Sequence, residues 1–124
     1  MGLSASGMTV ERFRMDTTAN NMANTNTVTN QPGGTPFYRK MVEVQGGPDG
    51  VRIVGLVDDV NSVETQVLPE QPGVDGRGTV FKTQINPVNE MVDMMSATRA
   101  YEANVKAFNA AKGMAKSALE IGKV

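Results

Sequence analysis

Residues 86–122, NPVNEMVDMMSATRAYEANVKAFNAAKGMAKSALEIG, form the longest uninterrupted helical pattern in the chain. No other stretch restricts the fold as much. Asn86 can cap the first turn, and Pro87 suits the first helical position, where no amide hydrogen is needed. Gly122 sits where a left-handed stop is expected. Glu90 and Asp93 lie near the start and Lys112, Lys116 and Lys123 toward the end, which complements the helix dipole at both extremes. Such a helix runs for roughly 50 Å at about 1.5 Å per residue. That is long for a chain of 124 residues.

The helix carries two apolar seams. Met91, Met94, Thr98, Tyr101, Val105, Phe108, Ala115 and Leu119 recur at intervals of three and four, with a break at Lys112. A second seam, displaced by about a quarter turn or a little more at about 100° per residue, runs through Ala97, Ala100, Asn104, Ala107, Ala111, Met114, Ala118 and Ile121. The bulky seam can hold one partner helix, and the small one lets another backbone come close. One intramolecular partner cannot cover both, so helix–helix contacts between subunits are expected.

Composition supports this and removes most chemistry. The chain has no cysteine and no histidine, so thiolate chemistry and the commonest general base and metal ligand are absent. Twelve basic against thirteen acidic residues leave a formal charge of −1, which offers nucleic acid or an anionic membrane no strong footprint. Aromatics are 5% of the chain, too few for a large self-contained core. Nine methionines suit surfaces that adapt to more than one neighbour. No apolar run is long enough for a membrane helix, and Glu11, Arg12, Arg14 and Asp16 interrupt any secretory signal core.

Residues 1–26 read as a first amphipathic helix, again with two seams: Leu3, Val10, Phe13, Thr17 and Asn20, and Ala5, Met8, Met15, Ala19 and Met22. Asn20, Asn21, Asn24 and Asn26 either satisfy backbone groups as this helix ends or fix register against a partner helix. Residues 27–36 are a loop by their Pro, Gly, Thr and Asn content. Residues 37–85 are a small β-rich insert. FYRKMVEV (37–44) and VRIVGLV (51–57) are joined by a turn in QGGPDG, and VETQV (63–67) and TVFK (79–82) are weaker strands. Residues 86–124 complete the chain with the long helix. The fold class is mainly α with a small β insert, the terminal helices forming a coiled-coil-like hairpin with short strands between them.

Asp58-Asp59 and Asp75-Gly76-Arg77-Gly78 lack the remaining ligands of a calcium loop, and Gly33-Gly34 and Gly46-Gly47 match no phosphate-binding glycine pattern. Serines have no histidine to activate them. No catalytic residue, cofactor or metal site is expected. A small enzyme using Asp58 and Asp59 ranks far behind a structural role.

The terminal segments carry a resemblance. ANNMANTNT (19–27), preceded by SASGMTVERFRMD (4–16), is similar to the N-terminal motif of bacterial flagellar axial proteins, the rod and hook family. EMVDMMSATRAYEANVKAFNAAKGMAKSALEIG (90–122) resembles the C-terminal segment of that family's proximal rod subunits, and GVRIVGLVDD (50–59) looks like its central strand region. The resemblance implies a non-enzymatic subunit of the basal-body rod that crosses the periplasm. It also implies contacts with copies of itself, other rod proteins and a basal-body adaptor, and passage through the flagellar type III export apparatus without a cleaved signal. Torque transmission and an open axial channel follow as the expected task. A soluble coiled-coil adaptor in a discrete complex is the alternative.

The seams assign residues to these roles. Val10, Phe13, Met91, Met94, Tyr101, Val105, Phe108 and Leu119 are expected to close the intramolecular helix pair. Met8, Met15, Ala19, Asn20, Asn21, Met22, Asn24, Ala97, Ala100, Asn104, Ala107, Ala111, Met114 and Ala118 are expected at subunit interfaces.

Overall fold

A computed structural model describes residues 2–70 and 72–122. Helix α1 spans Gly2–Ala23, and helix α2 spans Pro87–Gly122. Asn86 caps α2, its side-chain oxygen accepting from the Val88 amide at 3.0 Å. Between the helices lie β1 (Val28–Thr29), β2 (Arg39–Gly47), β3 (Gly50–Asp59), a 3₁₀ turn (Val60–Ser62), β4 (Val63–Val67) and β5 (Thr79–Thr83). The strands form two antiparallel sheets, one ordered β1-β5-β4 and the other the β2–β3 ribbon.

Three expectations shift. β2 starts two residues later than the β-rich run suggests, and the ladder continues through Gly46↔Val51 and Gly47↔Gly50. The turn therefore contracts to Pro48-Asp49. Residues 27–36 are not all loop: Val28 and Thr29 pair with Lys82 and Phe81, a long-range register that no local composition reveals. Gly122 is the last described helical residue and its φ is not positive, so it is no left-handed stop.

The two helices run antiparallel, as three cross-contacts show. Asn21 meets Glu90, Met15 meets Thr98, and Gly7 meets Asn104. The β2–β3 ribbon also packs along α1. Among the described residues the fully buried apolar set is only Val10, Val80, Ile85 and Ala97, against buried Thr18, Asn21, Ser62, Thr83 and Glu90. Hydrogen bonds thus take an unusual share of the interior, where an unpaired polar group would be costly.

Candidate functional site

At the end where α2 begins, one polar node joins four elements. The Asn21 side-chain amide donates to the Lys40 carbonyl at 2.9 Å, and its oxygen accepts from the Lys40 amide at 2.9 Å. The same amide nitrogen reaches the buried Glu90 carboxylate at 3.4 Å. Arg39 ion-pairs with Glu90 through Nε and with Asp93 through Nη2, the latter at 3.2 Å. The Arg39 amide donates to Ser62 Oγ at 2.8 Å. The hydrogen bond that the Arg39 side chain donates to Glu90, aided by the nearby charges of Glu90, Asp93 and Asp59, raises the Arg39 pKa against the opposing effect of burial. Arg39 is charged at any working pH. The node clamps the root of the ribbon to both helices.

The acidic residues named above have local roles. Asp58 pairs with Lys40, and Asp59 caps the 3₁₀ turn by accepting from the Asn61 amide at 3.1 Å. Asp75 accepts from the Arg77 and Thr79 amides at 2.8 and 3.3 Å and from the Thr79 hydroxyl at 2.7 Å. These bonds hold its carboxyl below the usual aspartate pKa, the Thr79 hydroxyl contributing most. Among the described residues no group of three or more acidic side chains is placed to hold a metal ion.

The seam residues divide differently from their sequence assignment. Val10 is buried, and Phe13, Met94, Tyr101, Val105 and Phe108 are half-buried. Met91 and Leu119 do not close the helix pair, being 54% and 69% exposed. Met91 points too far round the helix, and Leu119 lies beyond the end of α1. Conversely Met15, Asn21, Ala97 and Asn104 belong inside the chain: Asn21 and Ala97 are 1% exposed, Met15 touches Thr98, and Asn104 abuts Gly7. Met8, Met22, Asn24, Ala100 and Ala111 are half-buried, while Ala19, Asn20, Ala107, Met114 and Ala118 are exposed. A seam of period 3.5 drifts about 20° per heptad around a straight helix. The small seam accordingly starts against α1 at Ala97 and lies wholly in solvent from Met114 onward.

Two apolar surfaces remain uncovered on α2. From residue 112 onward every described residue is exposed, with Met114, Leu119 and Ile121 at 68, 69 and 75%. The second surface had a legible signal, four apolar residues at i, i+3, i+4 and i+7: Val88, Met91, Val92 and Met95. They are 62, 54, 59 and 55% exposed, and lie about half a turn from the Glu90–Ala97 side at about 100° per residue. No helix among the described residues is long and apolar enough to cross a membrane. A large apolar patch on a water-facing helix marks an interaction surface.

A model of the flagellar basal body rod FlgEFG protein C-terminal family matches residues 78–121, which covers β5, its link and nearly all of α2. The long helix with its uncovered surface is therefore that of a flagellar axial protein. The whole chain is 37% identical to the flagellar basal-body rod protein FlgC of Bacillus subtilis, over 99% of this chain and 96% of that one. It is 40% identical to FlgC of Aquifex aeolicus over 99% and 95%, and 32% identical to FlgC of Escherichia coli O157:H7 over 98% and 94%. The chain belongs to the FlgC family of flagellar basal-body rod proteins. It is a structural rather than catalytic component of the flagellar basal body, a rod subunit that assembles with other rod components.

Proposed function

We propose that α1 and α2 form a coiled-coil-like pair lining the inner tube of the rod, with the β elements outside it. The observation that carries this reading is the uncovered length of α2. The surfaces at Val88–Met95 and Met114–Ile121 are exposed in the single chain, and copies of the subunit or its rod neighbours bury them. Contacts between different surfaces of successive subunits do not close on themselves and so generate a helical tube. Dense, poorly compressible packing between such helices transmits torque. In this reading the subunit leaves through the type III export apparatus without a cleaved signal, next to a basal-body adaptor.

The test is Ile121→Asp, placed in cells lacking their own copy. Rods should be absent while the purified variant melts like the parent, because Ile121 is 75% exposed and supports nothing within the chain. Normal rods would remove the far end of α2 from the interface. Sedimentation of the parent at rising concentration separates the alternative: an adaptor stops at a small closed oligomer, a tube subunit does not.

A further inference from the structure

The β2–β3 ribbon is fastened very unequally along its length. Its root is held by the Asn21–Lys40 pair of bonds, by Arg39 to Glu90, Asp93 and Ser62, and just ahead of the strand by Thr83 Oγ donating to the Phe37 carbonyl. From Met41 to Val57, among the described residues, one hydrogen bond ties the ribbon to the rest of the chain. It runs from the Val51 amide to Ser6 Oγ at 3.2 Å.

A break in the ladder separates these two regions. Glu43 pairs with Gly55 and Val44 with Ile53, so Val54 is an extra residue and the register shifts between Glu43 and Val44. A bulge interrupts pairing and bends the strand, and a two-stranded ribbon has no third strand to splint it. Beyond the bulge, residues 45–49 are exposed. Beneath the tip lies a space of about 400 Å³ bounded by Leu3, Gly7, Glu11, Gly47, Val51 and Asn104. The tip comes nearest α1 at Leu3 and Ser6. Gly50, at φ +116°, sits against Ser6 where a Cβ would collide with the hydroxyl.

We infer that the far half of the ribbon, Val44–Val54, is a strap: it is hinged at the Val54 bulge, clasped by Ser6 against Gly50 and Val51, and able to lift from α1 while the Asn21–Arg39–Glu90 root stays closed. The clasp is one exposed hydrogen bond and a glycine contact, whereas the root is part-buried and charge-assisted. The strap thus opens at a small fraction of the free energy needed to detach the ribbon. Opening bares the half-buried α1 side around Ser6 and Gly7 and the space below, without disturbing the contact between α1 and α2.

Spin labels at Thr9→Cys and Gln45→Cys, both exposed sites, report the motion in the full chain. Their distance distribution should show a main short population and a longer minor one. Ser6→Ala should enlarge the long population by roughly two- to ten-fold, the range expected for one net hydrogen bond, and Ser6→Leu should enlarge it further by wedging Gly50. Amide exchange should separate the same regions, Gln45 and Arg52 exchanging at least tenfold faster than Lys40 and Met41. A single narrow distance unchanged by both Ser6 variants would overturn the strap, as would uniform exchange from root to tip. Neither readout depends on rod assembly, so the outcome stands apart from that of the Ile121→Asp test.

Discussion

Gly7 lies directly against Asn104 across the helix pair: a Cβ at residue 7 would lie 2.8 Å from both polar atoms of the Asn104 carboxamide. That carboxamide donates to the Ala100 carbonyl at 3.0 Å, so it is held in place rather than free to yield. The glycine of the SASG segment thereby admits α2, while the serine before it clasps the ribbon.

Two opposing effects meet at this position. Replacing glycine by alanine in a helix favours folding by about 1 kcal/mol, and overpacking costs about 1–3 kcal/mol. Gly7→Val should therefore destabilise the chain by about 1–3 kcal/mol in urea titration. Gly7→Ala combined with Asn104→Ala, which removes the obstruction, should recover to parental stability or above.

The node at the root predicts an order of losses. Glu90 is 1% exposed and its removal strands Arg39 and one Asn21 hydrogen, so Glu90→Ala should cost about 2–4 kcal/mol, discounted for the partial exposure of Arg39. Asp93 is 46% exposed, and Asp93→Ala should cost less than about 1 kcal/mol. Asn21→Ala leaves the two Lys40 backbone groups without their partner and should cost about 2–4 kcal/mol. Equal effects at positions 90 and 93 in thermal or urea melts would contradict the burial difference.

The Asp75 turn predicts a pH dependence confined to acid. Its folded pKa is lowered, chiefly by the Thr79 hydroxyl and then by the Arg77 amide. Its contribution is thus fully present above the ordinary aspartate value of about 3.9 and is lost as pH falls through the folded value. Asp75→Asn should be less stable than the parent at pH 6, and the difference should narrow below about pH 4. A gap that stays constant down to pH 2 would show that the charge of Asp75 plays no part.

Ala107 and Phe108 are neighbours to which the proposed tube gives opposite roles. Ala107 is exposed and Phe108 half-buried. Ala107→Trp should block rod formation with an unaltered melting curve. Phe108→Ala should lower the stability of the chain itself by about 2 kcal/mol, half of what a fully buried ring loses. Chemical denaturation of both variants alongside rod recovery separates the two effects.

Much of the architecture was legible because it is local. Asn86-Pro87 set the start of α2, and VETQV set β4 to the residue. The pairing of Val28–Thr29 with β5 was not legible, since a two-residue strand has no period and depends on a partner more than fifty positions away. The seams told which residues are apolar but not how far α1 reaches along α2, so Leu119 was assigned a partner that ends before it. Glu90 read as a first-turn acid matched to the helix dipole. Only the fold brings Arg39 and Asn21 to it and turns a surface charge into an interior one.

The unsupported end of α2 has a practical corollary. Its described last turns are exposed throughout, and short unsupported helix melts readily. Trypsin acting at Lys112 or Lys116 should trim the solitary subunit early, while subunits packed as in the proposed tube should keep their full length. Brief digestion therefore counts the fraction built into rods without an image of one.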